Sequence, residues 1–92
     1  METKSVDVGE VVFSIAGRDS GRFYIVAEIV NDTYVKIVDG DLRRIDKPKL
    51  KKIKHLKTQN EHIPKLAEKL KSGKKIFDAE IKSVLRSYNS AV

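Results

Sequence analysis

Apolar residues recur along the first third of this chain with the period of a β-strand. Val11, Phe13 and Ile15 fall at every second position within the run Val8 to Ile15. The run Arg22 to Val30 carries Phe23, Ile25, Ala27 and Ile29 on one face and Tyr24, Val26 and Val30 on the other. Successive strand side chains point to opposite faces, so this pattern predicts two strands, the second covered on both sides. Between them lies a polar turn, Ala16-Gly17-Arg18-Asp19-Ser20-Gly21, with a glycine near each end to supply positive φ and let other backbone come close. Asn31-Asp32-Thr33 predicts a second hairpin turn into a third strand, Tyr34 to Val38, with Val35 and Ile37 inward. Asp39-Gly40-Asp41 turns the chain again, its aspartates serving as turn formers. Shorter apolar groups predict a fourth strand at Leu42 to Ile45 and a fifth at Ile53 to Leu56, around a basic stretch broken by Pro48.

From His62 the period changes. Ile63, Leu66, Ala67 and Leu70, then Ile81, Val84, Leu85 and Tyr88, recur at helical spacing and predict two amphipathic helices. Pro64 suits a first helical turn, Ser72-Gly73 a C-terminal stop, and Asp78 the N-cap of the second helix. Short strands left in an open sheet expose their edges, whereas curling pairs most of them. The expected fold class is therefore mainly β with α: a small five-stranded barrel over residues 6–58, then a C-terminal two-helix extension over 62–90. Each helical stripe needs cover, from the barrel or from a partner protein.

Ninety-two residues support one small core. With no cysteine, disulfides and thiolate metal sites are excluded, and His55 and His62 do not make a zinc site. The chain lacks a cysteine nucleophile, a Walker-type glycine loop and a metal-spaced histidine cluster, so we expect neither catalysis nor a cofactor nor a metal. Met1-Glu2-Thr3-Lys4-Ser5 has no apolar stretch of the signal-peptide kind, and no run approaches the ~20 apolar residues that span a bilayer. The chain reads as a soluble, cytoplasmic monomer without a membrane role.

Charge changes this picture most. The net charge is +6, yet residues 43–57 alone hold Arg43, Arg44, Lys47, Lys49, Lys51, Lys52, Lys54 and Lys57 against the single acid Asp46, a local +7. Everything outside that tract sums to −1. A concentrated cationic tract on a neutral background is the footprint expected for a polyanion, because each neutralised phosphate releases condensed counterions. Arg18 and Arg22 add cations on either side of the first turn. His55, at the end of the tract, reads as a phosphate-facing side chain rather than a general base, since no nucleophile or orienting carboxylate is implied beside it. No aromatic cluster suggests a platform for several bases; Tyr24 and Tyr34 are the candidate single stackers.

Taken in order, Val8-Gly9-Glu10-Val11-Val12, the glycine turn, the apolar strand, Asn31-Asp32, Tyr34 to Val38 and Asp39-Gly40 resemble the KOW motif of ribosomal and transcription-elongation proteins. Gly17-Arg18-Asp19-Ser20-Gly21-Arg22, Val38-Asp39-Gly40, Arg43-Arg44 and Ile53-Lys54-His55-Leu56 together resemble the large-subunit ribosomal protein group L-fourteen-e and its smaller bacterial relatives, over residues 6–58. Asp41 stands where that group often has proline. The resemblance implies an SH3-like barrel and a non-enzymatic, ribosome-associated role in translation, with structured ribosomal RNA as the partner. Gly17 and Gly21 would be the motif glycines. Arg18, Arg22, Arg43 and Arg44 would inherit the RNA-facing role, and the charged tract adds Lys47, Lys49, Lys51, Lys52, Lys54, His55 and Lys57 to the expected contact set. The alternative is a protein-interaction module that binds a ribosomal, polymerase or other translation or transcription partner, for which the C-terminal helices offer a docking face.

Overall fold

Alternation puts apolar side chains on both faces of the sheet, and both faces are covered. In the computed structural model, which describes residues 6–89, five antiparallel strands run β1 Glu10–Ser14, β2 Phe23–Ile29, β3 Tyr34–Val38, β4 Lys49–Lys52 and β5 Leu56–His62. Two helices follow, α1 Pro64–Ser72 and α2 Asp78–Asn89. The strands are ordered β4-β3-β2-β1-β5. Pairing therefore ends at β4 and β5, and the hydrogen-bonded sheet is not closed.

One face of the sheet carries Val11, Ile25 and Val38, which pack with Leu66 of α1, Ile76 of the helix connection, and Ile81 and Leu85 of α2. The other face gathers Val12, Tyr24, Val26, Val35 and Ile37 with Ile53, which opens the turn after β4, and Leu56, the first residue of β5. Full burial of each such side chain is worth about 1.5–3 kcal/mol, so two small clusters divide the stabilisation between them. The helices thus cover the first face, and α2 also clamps the start of β2. Asn89 Oδ1 accepts the Phe23 N–H at 2.8 Å, and the Phe23 ring lies 5.4 Å from that of Tyr88. Close approach demands glycine at two points of this contact. A Cβ on Gly9 would lie 2.4 Å from Ala67 Cβ in α1, and one on Gly40 would lie 2.2 Å from the Asp78 carbonyl oxygen in α2.

The first three strands and both helices lie where the periodicity predicts. The later strands do not. Leu42 to Ile45 is a loop, because the Asp39 carboxylate and the backbone around it draw in the groups that a strand would pair: Asp39 Oδ1 accepts the N–H of Asp41 at 2.9 Å and of Arg43 at 2.8 Å, and the Arg43 carbonyl accepts from Asp39 and Gly40. The fourth strand is instead Lys49–Lys52, paired with β3 as Tyr34↔Lys52 and Ile37↔Lys49. Ile53–His55 forms a single 3₁₀ turn, and the fifth strand begins only at Leu56. That strand breaks register with β1 between Glu10 and Val12, and Asn60 takes a positive φ of 56° within it. Such an irregularity bends and twists a strand. Pro64 and Gly73 start and stop α1 as expected, Gly73 with φ 74°. Asp78 stands at the first position of α2, and its Oδ1 accepts the Ile45 N–H at 2.7 Å and ties the helix to the loop after β3.

Candidate nucleic-acid interface

The turn between β1 and β2 is closed by its own backbone: Gly21 N–H donates to the Ser14 carbonyl at 2.8 Å, Ser14 N–H to the Arg22 carbonyl at 3.0 Å, and Ser20 N–H to the Gly17 carbonyl at 3.2 Å. Gly17 and Gly21 have φ of 84° and 87°. At Gly17 the space is also taken, since a Cβ there would lie 2.9 Å from the Lys51 ammonium.

That ammonium belongs to the basic tract, and the tract is bonded to the turn at three places. Lys51 Nζ donates to the Ala16 carbonyl at 2.6 Å. Arg43 donates from Nε and Nη2 to Asp19 Oδ1 at 3.2 and 3.0 Å, a side-on pairing of the guanidinium with one carboxylate oxygen. The His55 carbonyl accepts the Ile15 N–H at 2.9 Å. Asp19 is the hub. It is 9% exposed, has Lys51 Nζ 4.0 Å from its second oxygen, and accepts the Tyr24 hydroxyl at its backbone carbonyl. Arg22 leans the other way, to Asp39 Oδ2 at 3.5 Å, while its Nε is buried with no hydrogen bond among the described residues.

The expected contact set therefore divides. Arg22 is paired with Asp39, Arg43 and Lys51 share Asp19, and Lys51 is only 7% exposed. Among the described residues, Arg18, Arg44, Lys47, Lys49, Lys52, Lys54 and Lys57 have no carboxylate within salt-bridge distance. Arg18 is exposed at the tip of the turn, Arg44 and Lys47 on the loop after β3, Lys54 within the 3₁₀ turn and Lys57 on β5 opposite Phe13. Lys49 and Lys52, on the outermost strand β4, are partly buried. A buried ion pair costs desolvation of both partners and is held by geometry, whereas an unpaired surface ammonium keeps its hydration and its reach.

His55 stands at the junction of tract and turn. Partial desolvation, then the charges of Lys54, Lys51 and Lys52, hold its imidazolium below the ordinary value of 6.5, so the ring is neutral at neutral pH. A polyanion laid on those lysines would remove much of the repulsion. Tyr24 is no stacking residue: it is 1% exposed, and burial, reinforced by Asp19 and Asp39, pushes its phenol above the usual range and keeps it a neutral donor. Tyr34 is half-buried on β3.

Asp19 escaped sequence reasoning, although its position between two glycines and between Arg18 and Arg22 marked it as an acid in a cationic setting. Among the described residues no group of three or more acidic or histidine side chains is arranged to hold a metal ion, and no helix is long and apolar enough to cross a membrane. No protein-family model matches the chain.

Proposed function

We propose that this protein is a non-enzymatic RNA-binding protein that grips the phosphate backbone of a structured RNA, and that it does so on the ribosome. The observation that carries the reading is the three-point attachment of the basic tract to the glycine turn, which braces the loop while seven further cations of the turn and tract have no carboxylate partner among the described residues. Backbone contacts of this kind position a protein on a folded RNA by shape and charge and carry little sequence information. The strand order β4-β3-β2-β1-β5, with a 3₁₀ turn between β4 and β5 and the enclosed cluster around Tyr24 and Ile37, supports an SH3-like barrel as the scaffold. The likeness to KOW proteins points the same way and favours ribosomal RNA.

Titration of a fluorescent ribosomal RNA hairpin at stepped potassium chloride tests the proposal. If five phosphates are neutralised, log K falls against log salt with a slope of roughly −3.5 to −4.5. Binding that ignores salt, or no binding, overturns it. Equal competition by double-stranded DNA at one salt concentration reduces the reading to a nonspecific polyanion binder. Gradient sedimentation of cell extract before and after ribonuclease then separates direct RNA contact, lost on digestion, from a protein-held complex, which survives.

A further inference from the structure

The connection between the two helices exposes a ring that the fold has no use for. Of its two apolar residues, Ile76 is 6% exposed within the core shared by sheet and helices, while its neighbour Phe77 is 58% exposed. Phe77 is nevertheless firmly held. Its N–H donates to Glu80 Oε1 at 3.1 Å, its carbonyl accepts the Glu80 N–H at 3.0 Å, and Glu80 Oε2 accepts Lys69 Nζ at 2.7 Å. The next residue, Asp78, is tied to Ile45, and Gly40 packs against the same helical turn. A ring presented on backbone fixed from both sides loses little freedom when something stacks on it.

Its surroundings are cationic. Lys75 Nζ lies 5.2 Å from the ring centroid, and Lys74 beside it is exposed and without a salt bridge among the described residues. The Asp78–Ile45 bond joins this segment to the loop that carries Arg44 and Lys47, where the exposed Asp46 is the one acid between those two cations. The two acids nearest in sequence are engaged, Asp78 with the Ile45 N–H and Glu80 with Lys69 and the Phe77 N–H. An exposed aromatic face among lysines fits a nucleobase with its phosphates better than an apolar peptide.

We propose that Phe77 is a stacking platform for one unpaired base of the bound RNA, with Lys74 and Lys75 holding the phosphates that flank it. This inference rests on the RNA-binding reading and adds to it a preference: a helix beside a bulge or single-stranded end binds better than a continuous duplex.

The full chain and two fluorescent RNAs of equal length test it, one a perfect hairpin and one carrying a bulge with 2-aminopurine. In the wild type, bulge binding quenches the 2-aminopurine. Phe77→Ala should weaken bulge binding by about 5- to 150-fold, abolish the quenching and leave the hairpin affinity and salt slope unchanged. Phe77→Tyr should restore both signals, and Lys74→Gln with Lys75→Gln should lower the bulge salt slope by about 1.4 to 1.8. If Phe77→Ala binds both RNAs like the wild type, the platform is overturned while the tract reading stands. If the wild type binds neither RNA, the RNA-binding reading itself fails. If Phe77→Ala instead loses a ribonuclease-resistant complex with RNA binding intact, the ring serves a protein partner and the platform is again overturned.

Discussion

Arg43 and Arg44 are neighbours of identical chemistry and face opposite fates. Arg43 is clasped by Asp19 and gives its charge to the fold, while Arg44 is exposed and without an acidic partner among the described residues. The same division runs through the whole tract, with Lys51 pinned to the turn and Lys47, Lys52 and Lys54 left outside. Formal charge therefore overstates what a polyanion meets. The carboxylates that neutralise the pinned cations lie outside the tract, so the local +7 is partly spent on holding the glycine turn in place.

The largest effect is expected where that division is broken from the acidic side. Asp19→Ala removes the acceptor of Arg43 and leaves the nearly buried Lys51 with only the Ala16 carbonyl. Breaking a buried pair costs about 3–5 kcal/mol, and because Arg43 is a third exposed we expect a loss nearer 2–3 kcal/mol in urea unfolding. Wild-type stability for Asp19→Ala would show that the pairs do not brace the turn.

Next in size is the complementary experiment on the unpaired group. Lys47→Gln, Lys52→Gln and Lys54→Gln together should leave stability within about 0.5 kcal/mol of wild type, because no salt bridge among the described residues is lost. The RNA salt slope should fall by about 2.1 to 2.7, counting roughly 0.7–0.9 per lost phosphate contact. The arginine pair sharpens the contrast further. Arg44→Gln should lower the slope by about 1 without changing the melt, and Arg43→Gln should lower the melting temperature while barely moving the slope. Equal effects of the two variants on both readouts would erase the distinction.

The division was invisible along the chain for a physical reason. Strands whose two faces are buried announce themselves, and so Val11, Ile25, Val26, Val35 and Ile37 all pointed to the core they occupy. The sheet ends are different. Lys49–Lys52 and Leu56–His62 each have only one neighbouring strand, carry mostly polar side chains and show no alternation to read. Leu42 and Ile45 imitated a strand, yet the Asp39 and Asp78 carboxylates capture the backbone N–H groups of Arg43 and Ile45. Clustered cations are likewise visible in any sequence, but which of them is neutralised depends on Asp19 and Asp39, 24 and 17 residues from their arginine partners.

The smallest expected effect, and the most specific to the junction of the two regions, is on proton uptake. In the free protein the His55 imidazolium is disfavoured by partial desolvation and by Lys54, Lys51 and Lys52. Its folded value lies below the unfolded one, so the unfolded chain binds more protons in that window. Stability is then fully present above the unfolded value of 6.5 and is lost as pH falls through the folded value. RNA phosphates laid on the same lysines, as proposed, would reverse the local field and raise the bound-state value. RNA affinity should therefore increase, by a few-fold, as pH falls from about 7.5 to about 5.5, while the free protein becomes less stable over the same interval. The depressed carboxylates of Asp7 and Glu80, held down by the Val8 N–H and by Lys69 respectively, stay ionised throughout and do not supply this dependence. His55→Gln should flatten the part that belongs to the junction, whereas His62→Gln, beside Asp7 and Glu10 and away from the tract, should leave it intact. A wild-type affinity that is flat across that interval would place His55 outside the RNA contact and confine the interface to the unpaired lysines and arginines.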